Sequence, residues 1–415
     1  MRKLHAYAIV LAGGRGSRLP IAGNIPKQFA PKFNGVTFVQ DIVRMIIEAD
    51  IRPTRIIIVV TNEEQKKLAE EQLGPKGVPS TNIVQFDPHY GYVAVQAKAI
   101  AYVYKHDPEA VCFLSPSDQH IEKEEQFTQA IQLAYREASN GTPIQIGAKV
   151  SDANIVGGCG NARYDDTQSG PVYNITAFIE KPLKIGGEAY VEKIMTDGNT
   201  AVNTGFYMVK AKQFLEQYPE KLMDDMLHKW YETHRGDDIG LDPTEMVIKL
   251  NMKLIIGRFD WKDCGTLKAY YDIQPKTTRH RNASIGYVSR YKCLDSLFIC
   301  PIKKMHLYAT GIVGCAIYAS INKKGKPQAF AANMDMSQEV GKIADLLESE
   351  DAPMSYSIDS INCHIMPSNM SDDLMAVYLG VQNIEFNVVE HDDGDIYVYA
   401  SGDGKCRYNG NVATT

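Results

Sequence analysis

The stretch Ala6-Tyr7-Ala8-Ile9-Val10-Leu11-Ala12-Gly13-Gly14-Arg15-Gly16-Ser17-Arg18-Leu19 decides the fold. Residues 6–12 are continuously apolar, which marks a strand buried on both faces, and the run is far too short to cross a membrane. It stops abruptly on three glycines and two arginines. A buried strand that feeds a glycine-rich turn is the opening of an α/β sheet whose ligands sit beyond the strand ends.

Reading outward, the same rhythm repeats. Residues 55–60 form a second apolar strand, and Thr61 and Asn62 cap a helix with Gln65 at the capping-box position. Strands at 83–86 and 110–114 alternate with helices at 94–104 and 124–138. This βαβα order predicts a Rossmann-like, mainly parallel sheet with helices on both faces. From residue 142 the pattern is mixed, with strands near 144–150, 172–179 and 205–209 and helices near 188–195 and 219–233. After Tyr271, residues 283–319 read as short strands punctuated by Gly286, Pro301, Gly311 and Gly314, and a helix is expected at 338–347. Acids dominate from Glu348 onward, although 384–389 and 395–399 alternate like strands. The expected division is an α/β domain at 1–275, a small all-β module at 276–349 and an acidic extension at 350–415.

Composition limits the function. The 415 residues carry 44 Lys+Arg against 50 Asp+Glu, a formal charge of −6, with 44% hydrophobic and 23% charged residues. These are ordinary globular values. The acidic balance argues against holding nucleic acid through its phosphates, yet leaves room for a local basic site for a small anion. Eight cysteines lie scattered without a Cys-x-x-Cys pair, so neither a zinc site nor a disulfide framework is expected. The basic start runs straight into the strand and its glycines, unlike a signal peptide, and a cytoplasmic protein with no membrane partner is expected.

The chemistry-bearing residues cluster at strand ends. Gly13, Gly14 and Gly16 let backbone N–H groups approach an anion, and Arg18 and Lys27 add fixed positive charge. The spacing is neither the dinucleotide fingerprint nor a Walker A loop, because no Gly-Lys-Ser/Thr closes it. Asp118, in Ser115-Pro116-Ser117-Asp118-Gln119-His120, follows a buried strand. There a carboxylate can hold Mg²⁺, which takes carboxylates together with phosphates and water, or can cap a helix. Glu180-Lys181-Pro182 offers an acceptor and a point cation at another strand end, a pairing suited to a phosphorylated sugar.

These segments resemble, in order, the motifs of the sugar-1-phosphate nucleotidylyltransferases, and Pro26-Lys27-Gln28-Phe29 is most similar to the mannose-1-phosphate guanylyltransferase branch. The resemblance continues in Gly157-Gly158-Cys159-Gly160, Asn203-Thr204-Gly205 and Trp261-Lys262-Asp263-Cys264-Gly265. It implies that Leu11, Ala12, Gly13, Gly14, Arg15, Gly16, Ser17 and Asp87 bind the nucleotide. It further implies that Gly160, Glu180, Lys181 and Asn203 bind the sugar phosphate, and that Arg18, Lys27, Asp118, Lys181 and Asp263 carry catalysis. Asp118 and Asp263 would share Mg²⁺, and the family's motif histidine corresponds to His120. The module at 276–349 resembles the family's left-handed β-helix-like unit and is expected to join two copies of the chain.

One segment departs from the family. Where the family reads the base with Arg-Asn-Thr, this chain has Tyr92-Val93-Ala94, followed by Gln96. Apolar side chains cannot accept guanine's N–H groups, and packing discriminates less sharply than hydrogen bonding. The expected reaction is transfer of a nucleotidyl group from a triphosphate, GTP by resemblance, to a sugar-1-phosphate, mannose-1-phosphate by resemblance, with release of pyrophosphate. The alternatives are the same chemistry on another base or sugar, and a non-catalytic regulatory paralogue that binds sugar nucleotides.

Overall fold

The computed structural model describes residues 5–14, 25–32, 35–86, 91–167, 169–222, 224–225, 243–321 and 327–334, together with the strand segments between 355 and 414. The chain divides into two compact units, Met1–Gly14 with Val39–Asp263, and Arg15–Phe38 with Cys264–Thr415.

The first unit is built on a nine-stranded sheet. Its strands are β1 (Ala6–Leu11), β2 (Ile56–Val60), β3 (Ile83–Gln85), β4 (Val111–Pro116), β6 (Ile144–Ala148), β7 (Asn161–Tyr164), β8 (Val172–Ile179), β9 (Thr200–Lys210) and β10 (Lys253–Gly257). They lie in the order β3-β2-β1-β4-β9-β6-β10-β8-β7. Every residue of β2 is buried, as a central parallel strand requires. The helices are α1 (Phe38–Glu48), α2 (Glu63–Leu73), α3 (Tyr92–His106), α4 (Glu124–Ser139), α5 (Ala153–Gly158) and α6 (Pro182–Asp197).

Alternation along β4 decides which helix covers which face. Cys112 and Leu114 join Ile9, Ile57, Val93 and Ile100 in the core that includes α3. Phe113 points the other way and meets Phe127 of α4 and Phe206 of β9, with centroids 6.4 and 5.7 Å away. Helices therefore cover both faces, as the sequence predicts.

The expectation of a mainly parallel sheet needs correction. β3, β2, β1 and β4 run parallel, as do β6 and β10. However, β9 pairs antiparallel with β4, β6 and β7, and β8 pairs antiparallel with β7 and β10. The β7–β8 pair is antiparallel because the loop at 165–171 is too short for the crossover that a parallel pair would need. The helix expected at 188–195 is the second part of α6, which breaks at Gly186 and Gly187, both non-helical. Most of the helix expected at 219–233, and all of the one at 338–347, lies outside the described residues.

In the second unit the 3-10 turn Lys27–Phe29 leads to Phe38, which packs with Tyr270 of helix Leu267–Ile273, and with Leu297 and Ile299. The Tyr270 hydroxyl donates to Pro31 O at 2.5 Å. Beyond Ile273 every regular element among the described residues is a strand. The strands at Ala283–Gly286, Leu297–Cys300 and Cys315–Ile321 pair in parallel in one sheet, and those at Val288–Tyr291 and Met305–Thr310 pair in parallel in another. Consecutive strands thus alternate between two sheets. Asn282 secures a corner of this winding, donating to Cys293 O (2.7 Å) and accepting from the Ser296 N–H (3.1 Å). In the acidic tail, Ile396–Gly402 runs parallel to Met305–Thr310, and Ile384–Glu390 runs antiparallel beside it.

Candidate active site

The glycine turn leaves β1 beside the end of β2, where the Ala12 N–H donates to Val59 O at 2.7 Å. Position 13 has no room for a side chain, since a Cβ there would stand 2.6 Å from Thr61 Cγ2. Helix α2 holds the turn from below. Asn62 caps it by accepting the Gln65 N–H at 2.9 Å. The Gln65 amide then turns back, accepting the Thr61 N–H at 2.9 Å and donating to Gly13 O and Gly14 O at 3.3 and 3.4 Å. Thr61 Oγ1 also donates to Gly13 O, at 3.1 Å. Leu11, Ala12, Gly13 and Gly14 therefore sit at the carboxyl end of β1 on a braced turn. Arg15, Gly16, Ser17, Arg18 and Asp87 lie outside the described residues.

Asp118 follows the neighbouring strand β4, so it leaves the sheet at the same edge. Ser117 Oγ donates to Leu11 O at 2.7 Å and ties this loop to the glycine turn. The chain continues into β5 (Gln119–Glu122), which pairs antiparallel with β11 (Asp260–Asp263). Register places Asp263 opposite Gln119, one residue from Asp118. The ribbon is pinned by Gln119, whose Oε1 accepts from Trp261 Nε1 at 2.6 Å and whose Nε2 donates to Thr204 O at 2.7 Å. His120 turns its Nε2 toward Glu122 Oε1, 3.2 Å away.

Gly160, Glu180, Lys181 and Asn203 come together at the same edge. Asn161 of β7 pairs with Ile179 of β8 and with Val202 of β9, which brings the three flanking positions side by side. The Asn203 N–H donates to Gly160 O at 2.8 Å, and the Lys181 N–H donates to Cys159 O at 3.2 Å. A side chain at Gly160 would displace the tips of Glu180 and Phe178, because a Cβ would lie 2.6 Å from Glu180 Oε2 and 2.7 Å from Phe178 Cζ. Lys181 adopts a left-handed backbone (φ 46°), and its Nζ stands 3.2 Å from Glu180 Oε1. The Asn203 side chain folds inward, where its Oδ1 accepts the Gly205 N–H at 3.0 Å and its Nδ2 donates to the Tyr207 hydroxyl at 2.8 Å. These bonds shape an irregular stretch of β9 in which the pairing with β6 shifts register.

Electrostatics joins the two halves of this edge. Burial, reinforced by the Asp263 and Glu180 carboxylates and opposed by Lys181, pushes the Cys159 thiol up to about 11. Cys159 thus lies within reach of both Asp263 and the Glu180–Lys181 pair. Burial also raises the Tyr92 phenol well above its ordinary value, with Tyr207 and Asp118 adding to the effect. The Tyr92 hydroxyl donates to Gly205 O at 3.2 Å. Its neighbours Val93 and Ala94 are 0% and 1% exposed and belong to the core under α3, and Gln96 is 0% exposed.

The raised thiol has a chemical consequence. Relative to the ordinary 9.0, the Cys159 thiolate population at pH 8 falls by about 100-fold. Stronger intrinsic nucleophilicity recovers part of this, leaving alkylation about 10-fold slower than at an unperturbed thiol. Iodoacetamide labelling of the Cys159 peptide, followed by mass spectrometry, should show that lag at pH 8 and a steep rise toward pH 11. Labelling at the rate of a free thiol would contradict it.

Lys27 belongs to the second unit, where it is 5% exposed and its Nζ lies 6.0 Å from the Phe38 ring centre. Lys32 is equally buried beside the same ring, at 5.8 Å. Gln65, Ser117 and Gln119 are the contributors that the sequence does not single out as site residues, whereas Tyr92 is marked there only as a departure in the base-reading segment. Of these, only the capping position of Gln65 carried a signal.

No group of three or more His, Cys, Asp or Glu forms a ready metal cluster among the described residues. Mg²⁺ does not need one, because it accepts one or two carboxylates and completes its shell with substrate phosphates and water. Asp118, half-buried, immediately precedes β5, and Asp263, exposed, lies opposite Gln119 in the β5–β11 ribbon, so these are the two carboxylates that would contribute to such a shell. No helix among the described residues is long and apolar enough to cross a membrane.

A family model described as nucleotidyl transferase matches residues 7–280. A mannose-1-phosphate guanylyltransferase of Klebsiella pneumoniae is 26% identical over 368 residues, covering 82% of this chain and 73% of the relative. A protein of the same description from Sinorhizobium fredii is 24% identical over 366 residues, covering 82% and 68%. Among solved structures, one described as mannose-1-phosphate geranyltransferase from Thermus thermophilus superposes with a TM-score of 0.65 at 19% identity, covering 83% of this chain and 100% of that one. That likeness is one of fold.

Proposed function

Because the chain belongs to the nucleotidyl transferase family, we infer that it transfers a nucleotidyl group from a nucleoside triphosphate to a sugar-1-phosphate, with GTP and mannose-1-phosphate as substrates. The observation that carries this reading is the single sheet edge that gathers the glycine turn, Asp118, Asp263 and the Glu180–Lys181 pair. A phosphate oxygen of the sugar phosphate attacks the α-phosphorus. The bond from that phosphorus to the bridging oxygen breaks, and pyrophosphate leaves with the electron pair. The attacking phosphate is already ionised, so no general base is required and the protein's task is neutralisation and in-line positioning.

In this reading the glycine turn with Arg15 and Arg18 holds the triphosphate, and Lys27 balances charge at its α-phosphate. Lys181 holds the attacking phosphate and Glu180 accepts from sugar hydroxyls. Asn203 acts at least through the irregular stretch of β9 that its side chain braces. Asp118 and Asp263 would hold Mg²⁺, which when bound offsets negative charge on the phosphates. We read the alternating strands from residue 283 as the family's β-helix-like module and the seat of a homodimer.

One observation favours a second reading, the same chemistry on a different base. Val93 and Ala94 take the place of the family's polar base readers and are buried in the core, so they offer no edge to guanine. A panel of GTP, ATP, UTP, CTP and dTTP against mannose-, glucose- and heptose-1-phosphate, scored by pyrophosphate release, separates the two. Turnover confined to GTP with mannose-1-phosphate is expected. Preference for another triphosphate would establish the second reading, and no release from any pair would overturn both.

A further inference from the structure

Gln119 is 8% exposed and touches three elements of the site at once. It lies in β5 next to Asp118, accepts from Trp261 in β11 two residues before Asp263, and donates to Thr204 between Asn203 and Gly205 in β9. The chemistry of its partners is one-sided. An indole N–H can only donate and a backbone carbonyl can only accept, so the bridging group must do both with a fixed orientation. A primary amide does this without charge. Trp261 and Thr204 are 6% and 1% exposed, so neither can turn to water for a substitute.

We propose that Gln119 is a positioning residue that fixes the carboxylate-bearing ribbon of Asp118 and Asp263 against the sugar-side stretch of β9, setting the separation between the metal and sugar-phosphate subsites. The inference rests on the nucleotidyl-transfer reading. The side-chain bonds of Gln119 run to β11 and β9, whereas the glycine turn is tied to this loop through Ser117. Loss of the amide should therefore weaken metal binding and, with the metal held saturating, raise the sugar-phosphate KM while leaving the triphosphate KM alone. A general weakening of the fold would disturb all three.

The test uses the full chain with Gln119→Met, which keeps length but not hydrogen bonding, and Trp261→Phe, which keeps the packed ring but removes the donor. Mn²⁺ affinity is measured without substrates from the free-ion paramagnetic resonance signal, and KM is measured for each substrate by pyrophosphate release at a metal concentration that saturates parent and variants alike. Partners behind a ligand typically alter affinity by about 10-fold or more. Gln119→Met should therefore weaken Mn²⁺ binding and raise the sugar-phosphate KM by about 10-fold, with the triphosphate KM within about 2-fold of the parent. Trp261→Phe should shift the same two quantities in the same direction. The double variant should fall short of the product of the single effects, as coupled partners do.

Parent-like Mn²⁺ binding and sugar-phosphate KM in Gln119→Met would overturn the proposal, as would a parallel rise in triphosphate KM. If Gln119→Met does not fold, Trp261→Phe decides by the same criteria. Failure of the underlying reading looks different, because the parent protein itself would then neither bind Mn²⁺ nor release pyrophosphate.

Discussion

Asp118→Asn and Asp263→Asn should each lower nucleotidyl transfer by about 10²- to 10³-fold, the scale on which removal of one preorganised charge-stabilising group acts. Each amide keeps the size of the carboxylate and loses its charge, so the missing quantity is electrostatic, about 2.7–4 kcal/mol at the transition state. Asp263 is exposed and Asp118 half-buried, so neither change opens a cavity in the core, and the melting temperature should stay near that of the parent. Residues acting on one group are strongly non-additive, so the double variant should be only slightly worse than the poorer single one. The measurement is the initial rate of pyrophosphate release at saturating substrates, with thermal unfolding recorded alongside. Turnover of Asp263→Asn within a factor of a few of the parent, at saturating Mg²⁺, would remove Asp263 from the site.

Gly286→Ala should be the most damaging small substitution in the second unit. Gly286 has φ 80°, and an added Cβ would lie 2.0 Å from Cys300 O and 2.6 Å from Cys300 C. Those are backbone atoms in the neighbouring parallel strand, and the same carbonyl already accepts the Tyr287 N–H at 2.9 Å. Neither atom can move without breaking the ladder. A left-handed conformation forced on a non-glycine residue costs about 1 kcal/mol or more, and the clash adds to it, so a loss of about 3 kcal/mol or more is expected. Chemical denaturation should register this as an earlier transition, and amide exchange should locate it in residues 283–310. Gly74→Ala supplies the control, since a Cβ there meets nothing within 4 Å. Indistinguishable denaturation of the two variants would show that the strand pair yields.

What could be read from the chain before its structure divides along physical lines. The apolar runs at 6–12, 56–60 and 111–114 are legible because burial on both faces leaves an uninterrupted pattern, and each is a strand of the parallel half of the sheet. The antiparallel half is not legible in the same way. β8 is partly exposed whereas β6 is wholly buried, so no one pattern marks these strands, and periodicity does not encode strand direction. The same contrast holds at the site. Gly160, Glu180, Lys181 and Asn203, far apart in sequence, meet through strand register, which the motif order anticipates. Gln119 and Gln65 act through amide hydrogen bonds to residues 142 and about 50 positions away; the capping position marks Gln65 as a helix-start residue but not as a brace of the glycine turn, and nothing local distinguishes Gln119 from a surface glutamine. Val93 and Ala94 invite reading as a base-contacting surface, whereas the helical periodicity of α3 turns them into core.

Lys181 sits where an L-residue is least comfortable, at φ 46° on the threshold of α6. Glycine would relax that backbone, and asparagine would tolerate it better than lysine does. On the role proposed for Lys181 at the sugar phosphate, thermal robustness and phosphate capture pull this one codon in opposite directions. Variants enriched solely by survival of heating would tend to surrender the ammonium group here, so any programme of hardening this protein has to score turnover at every round.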